Sequence, residues 1–155
     1  MIIKASGNFI PAPEGLHDAV IVDQHDLGYV ETQWGKKPQL RTFWEIAAMM
    51  ETGKRFIVMK TYGVSLHKKA TLRKDLKGIL GRELTEDELR GFEIERTIGM
   101  PCQVLVVHNP SGDGIIFANV QTVMKAGATK LTPSGSFIRH KDRKDDVKAP
   151  NGDLY

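Results

Sequence analysis

Residues 62–81, YGVSLHKKATLRKDLKGILG, read as one helix with strand-like sequence on both sides of it. A single helical interruption between two runs of strands limits the β topologies open to the chain. Ser65 is placed as the N-cap, and Leu72, Leu76, Ile79 and Leu80 share one face at i, i+4, i+7 and i+8. Gly81 supplies the stop, where a left-handed residue costs least. The other face carries His67, Lys68, Lys69, Arg73, Lys74 and Lys77 against a single acid, Asp75.

Before this helix the sequence reads as a three-stranded meander. Residues 1–16 form an arm that Pro11 and Pro13 keep extended and Gly15 turns. Residues 17–26 have a β-branched centre and give strand one. Residues 27–37 read as a loop or ragged hairpin, with Trp34, Lys36 and Lys37 near its tip. Residues 38–50 alternate as strand two: Leu40, Thr42, Trp44 and Ile46 point one way, and Gln39, Arg41, Phe43 and Glu45 the other. A turn at 51–54 leads to strand three at 55–62.

After it, Thr85 and Glu88 form a capping box, with Leu84 and Leu89 as its hydrophobic staple, which fixes a short second helix. A further turn over 93–98 ends at Gly99; residues 101–108 are strand four and 115–124 strand five, joined by a turn at 109–114. From Ala126 onward Gly, Thr, Pro, Ser and mixed charges predict a flexible tail over 126–155, behind a domain spanning 1–125. The element order is that of a five-stranded antiparallel Greek-key barrel of the OB type, mainly β, with helices between strands three and four. A generic α+β sandwich has the same order, and order alone leaves both open.

Composition adds exclusions. With 155 residues the chain is long enough for one domain with a real core. A net charge of +3 is compatible with a polyanionic partner without requiring one. The single cysteine, Cys102, rules out an intramolecular disulfide and a multi-cysteine zinc site. No run approaches the ~18 apolar residues of a membrane span, and the N-terminus has no apolar leader pattern, so a reducing cytoplasm is expected.

Catalysis finds little support. His17, His25, His67, His108 and His140 show no close metal-ligand spacing. His108-Asn109 lacks the second half of an HNH-type nuclease site, and Cys102 beside Pro101 reads as core. The Ser134-Gly-Ser136 and Ser111-Gly-Asp113-Gly runs are turn chemistry, while Glu86, Asp87 and Glu88 belong to a helix first turn. No catalytic residue, metal or cofactor is expected.

Binding of single-stranded nucleic acid fits better, since it needs cations along the phosphates and aromatic faces for the bases. Trp34, Lys36, Lys37, Arg41 and Phe43 interleave the two on strand two and the loop before it, and the turn and strand three add Lys54, Arg55, Lys60 and Tyr62. That is the surface an OB barrel uses. Trp44 is expected in the core with Leu40 and Ile46, with Phe43 and Arg41 toward the ligand, although alternation alone also permits the reverse. Lys68, Lys69 and Arg73 on the basic helix would support the strand path, against the plain alternative of a solvated helix face.

The run from Thr61 to Asn109 resembles a group of small phage-encoded OB-fold single-stranded DNA-binding proteins. The resemblance rests on Tyr62, Ser65, Leu66 and His67; on the basic leucine helix from Leu72 to Leu76; on Thr85 to Leu89; and on Ile98, Gly99 and Cys102, with Pro13-Glu14-Gly15 ahead of strand one. It spans about residues 9–125. It implies sequence-tolerant coating of single-stranded DNA in phage replication or recombination inside a bacterial host cell. Such proteins often carry an acidic tail with a terminal aromatic for docking phage or host replication proteins. This chain ends in Tyr155 with one acid in its last five residues, which leaves a disordered solubilising end as the simpler reading.

The expectation is therefore a non-enzymatic single-stranded DNA-binding protein, compatible with a homo-oligomer. The rivals are an OB-like adaptor that binds protein without DNA affinity, and a metal-dependent nuclease or resolvase.

Overall fold

The first strand, β1 (Gly15–Thr32), runs for 18 residues and pairs antiparallel with both β2 (Gly35–Met49) and β4 (Pro101–Pro110). The computed structural model describes residues 10–143. β2 also pairs with β3 (Arg55–Gly63), and β4 with β5 (Ile116–Lys125), giving one five-stranded antiparallel sheet in the order β3-β2-β1-β4-β5. Helix α1 (Thr71–Leu80), helix α2 (Glu86–Arg90) and a 3-10 turn (Ile94–Thr97) lie between β3 and β4 in the chain. The mainly β class, the five strands and the position of the helices match the sequence expectation.

Two bulges let so long a strand coil. The β1–β2 register shifts between Ile21 and Asp23, and again between Asp26 and Gly28. At the second, Gly28 takes φ 68°, a left-handed value that suits glycine, and its N–H donates to Asp26 Oδ1 at 2.8 Å. At the first, Val22 and Asp23 fall consecutively on one face. Ala19 and Ile21 point to the main core, with Trp44, Ile46, Val58, Val104 and Val106.

Helix α1 closes that core with Leu72, Leu76 and Ile79, the face its periodicity specifies. It is shorter than the sequence suggests. Tyr62 and Gly63 still belong to β3, and Ala70, not Ser65, is the N-cap residue. Ser65 accepts the His67 N–H at 3.1 Å in a local turn, so Lys68 and Lys69 precede the helix. Such a hydroxyl turn offers the backbone an alternative to helix. Gly81 ends α1 at φ 71°, as its sequence position predicts. Gly78 sits against β5: a Cβ there would meet the Val123 carbonyl oxygen at 2.3 Å.

The Thr85/Glu88 capping box is present, Leu84 is buried, and Leu89 packs on the same core. Thr42, Gln24 and Thr97 form a buried hydroxyl–amide chain at 2.6 and 2.8 Å, tying β2 and β1 to the 3-10 turn. The arm is fixed at its described end: Ala12 is buried, and its carbonyl accepts from His108 Nε2 at 2.6 Å.

The segment read as a tail differs most from expectation. Residues 131–143 form a strap across the face of the sheet opposite α1. Leu131 and Phe137 pack on Val20, Val22, Phe43, Ile57 and Met59. The remainder of the expected tail, residues 144–155 with Tyr155, lies outside the described residues, as do residues 1–9 of the arm. No helix among the described residues is long and apolar enough to cross a membrane.

Candidate nucleic-acid interface

Two carboxylates on the outer face of β1 and β2 are fully buried and are held from the strap. Asp23, 1% exposed, accepts from Arg139 Nε at 3.0 Å, from the His140 backbone N–H at 2.8 Å and from His140 Nδ1 at 2.7 Å. Glu45, 2% exposed, accepts from the Ser134 N–H at 2.8 Å, the Ser134 hydroxyl at 2.6 Å and Arg55 Nη1 at 3.1 Å. Arg139 also forks onto Glu95 at 2.7 and 2.9 Å. Burial alone would raise the Asp23 pKa; donation from His140 and Arg139 outweighs it and leaves the carboxyl below its ordinary value. Buried charges stay in a fold when paired and hydrogen-bonded this way.

The strap removes Phe43 from the set of exposed aromatics. Its ring is 0% exposed, with the Phe137 ring centroid at 5.8 Å and the His140 ring at 4.7 Å. The expectation that Phe43 faces a ligand is corrected: alternation gives β2 two faces, and both are covered. Trp44 is buried with Leu40 and Ile46 in the main core, as expected.

Tyr62 and Lys60 are likewise displaced from the expected surface. Both lie on the helix side of β3. Tyr62 is buried and donates to Asp75 Oδ2 at 2.6 Å, and Lys60 Nζ reaches the same oxygen at 2.7 Å. Burial, then the Asp75 carboxylate, pushes the Tyr62 phenol well above its ordinary range. Asp75 therefore faces the core side of α1 and is not part of its basic surface. Arg55 is committed to Glu45 and to the Thr132 carbonyl, fastening the strap. Arg73 donates to the Leu66 carbonyl at 3.4 Å.

What stays open lies around the β1–β2 hairpin. Its strands pair to the end, Glu31 opposite Lys36 and Thr32 opposite Gly35, so the expected loop is a tight turn through Gln33 and Trp34. Trp34 is 76% exposed and Lys36 and Lys37 are exposed beside it. Tyr29, paired with Pro38, is 74% exposed on the same hairpin. Sequence reasoning missed Tyr29 because it ended strand one at Asp26; the Asp26–Gly28 bulge carries the strand onward. The Val64 N–H donates to the Pro38 carbonyl at 3.0 Å, which fixes the chain leading to exposed His67, Lys68 and Lys69 at this end of the sheet. Arg41 lies further along β2 on the outer face, its Nε on Thr61 Oγ1 at 2.9 Å. Lys54 is exposed in the β2–β3 turn, at the opposite end of those strands.

The structure thus places Trp34, Lys36 and Lys37 together on the β1–β2 hairpin, leaves Lys68 and Lys69 exposed on the segment ahead of α1, buries Phe43 and Tyr62, and turns Lys60 onto Asp75. Arg41 lies between that hairpin and the strap. Cys102 is buried, its thiol pushed up to about 12 chiefly by burial. Among the described residues no three His, Cys, Asp or Glu side chains converge to hold a metal ion. Neither a family model nor a curated protein matches the chain.

Proposed function

We propose that the protein binds single-stranded DNA with little sequence preference, on an OB-like barrel, in the manner of a replication or recombination accessory protein. The observation that carries the reading is the hairpin end of the sheet. Two aromatic rings, Trp34 and Tyr29, stand in solvent on the same hairpin as exposed Lys36 and Lys37. Stacked bases and neutralised phosphates need that pairing of ring faces and cations. Support for the barrel comes from the approach of the sheet's two edges: Lys60 on β3 donates to the Gln121 carbonyl on β5 at 3.4 Å, and α1 packs against both strands.

The test is a titration of the full chain with an oligothymidine, followed by tryptophan fluorescence. Trp44 is buried, so quenching on binding reports Trp34. A stacked base is worth ~1–3 kcal/mol, so Trp34→Ala should weaken binding by about tenfold or more. Unchanged affinity in that variant removes Trp34 from the interface; no binding by the parent protein at low salt removes the function. One observation favours an adaptor role as the second reading: Ile115, Ile116 and Phe117 are exposed together at the β4–β5 hairpin. That reading predicts a folded protein without salt-sensitive DNA affinity.

A further inference from the structure

We infer that His25 is a pH-sensitive catch for the strap: as pH falls, residues 131–143 lift off the outer face while the strands beneath stay paired. The strap is built to open separately from the sheet. Residues 131–143 form no strand, only the 3-10 turn His140–Asp142. Side-chain contacts fasten them: Ser134 on Glu45, Arg55 on the Thr132 carbonyl, and residues 139 and 140 on Asp23. A segment outside the ladder can open at lower cost than the whole fold.

The catch is a pair of stacked imidazoles, one on each side of the joint. His25 belongs to β1 and His140 to the strap; their ring centroids are 4.1 Å apart and their planes 17° apart. Asp23 fixes His140 through both its ring Nδ1 and its backbone N–H. His25 is half-buried, and its Nδ1 finds no hydrogen-bond partner among the described residues. Four charged or titratable groups act on it: Asp23 from its own strand, Arg41 opposite it on β2, and His140 and Arg143 from the strap. Asp23 alone of these favours a proton on His25, and it already accepts from Arg139 and twice from His140.

A second proton on such a stack sets like charges face to face with the nearby carboxylate already shared. The stacked rings and the engaged Asp23 set that penalty, whatever Arg143 itself pairs with. In keeping with it, burial first and His140 next hold the His25 pKa below its ordinary value. With the strap lifted, His25 meets water and takes its proton near pH about 6.5. The open form therefore binds the proton at a pH where the closed form does not. Between the two titrations each unit of acidification favours opening by up to about tenfold. Opening uncovers Phe43, 0% exposed beneath Phe137 and His140, together with Val20, Val22, Ile57 and Met59. An aromatic, apolar surface on β1–β3 thus becomes available on the acid side, whatever the hairpin binds.

The experiment is amide hydrogen exchange of the full chain by NMR between about pH 7.5 and 5, the span of histidine titration, with each rate divided by its intrinsic value at that pH. The probes are the Ser134 and His140 N–H groups, which donate to Glu45 and Asp23, against the paired amides of β1 and β4. Protection of the two strap amides should fall by up to about tenfold per pH unit below about pH 6.5, while the sheet amides stay far slower. His25→Phe, whose ring can stack but takes no proton, should flatten that dependence, and His25→Gln should do so as well. Strap protection that is absent at neutral pH, constant, or rising as pH falls overturns the proposal. So does a fall that persists in both variants, or strap and sheet amides that exchange together at every pH.

Discussion

Asp23 decides whether the outer face is covered. A carboxylate buried in the middle of a strand needs donors, and here all three come from residues 139 and 140, over a hundred positions later in the chain. Removing one partner of a buried ion pair leaves the other uncompensated, at a cost of roughly 3 kcal/mol or more. Asp23→Asn should therefore lower the midpoint of denaturant unfolding by that equivalent and open residues 131–143 to proteolysis. The pH dependence follows from the two shifts. Unfolded His25 binds its proton near pH about 6.5, while the folded group does so lower. Between those values the unfolded state holds more protons, so stability falls as pH drops through that range. Asp23, depressed in the fold, adds a second loss at more acidic pH, as its folded-state carboxyl is protonated. Thermal denaturation as a function of pH reads both, and His25→Gln should remove the first.

The elements differ in how openly the sequence declares them. The face of α1 was legible because Leu72, Leu76 and Ile79 repeat at helical spacing, and α2 because its capping box is local chemistry. Thr85→Ala should cost about 1 kcal/mol in chemical denaturation, since Glu88 and Thr85 satisfy each other's backbone donors. Gly78→Ala should cost more, roughly 1–3 kcal/mol, because its new methyl group would press on the Val123 carbonyl, which is sheet backbone. The α1 start was misplaced because Ser65 has the right chemistry for a cap and uses it in a turn instead. The strap was illegible. Gly, Thr, Pro and Ser give it no period, and its contacts are single side chains reaching fixed acceptors. A trace was present: Asp23 and Glu45 are acids inside strand-like runs, and each implied a donor from elsewhere. Phe137→Ala should loosen the strap by roughly 2 kcal/mol, read as faster amide exchange over residues 131–143 while the main core keeps its protection.

For the whole molecule, sheet and strap together set which surface stays open. Of the surface expected from the sequence, the structure leaves one part exposed and buries another. The β1–β2 hairpin is exposed and basic, whereas the rings of Phe43 and Tyr62 serve the two cores. Alternation told which residues share a face, and only the long-range packing told which face remains open. If the protein binds single strands as proposed, cations at the hairpin end, not the buried aromatics of β2 and β3, should hold the strand. The most direct measurement is the affinity for an oligothymidine across a range of salt, with duplex of equal length as competitor. Tight binding at low salt that weakens linearly in log salt, resists the duplex, and loses slope in Lys36→Gln with Lys37→Gln agrees with the account. Affinity that ignores salt, or that duplex abolishes at equal concentration, contradicts it.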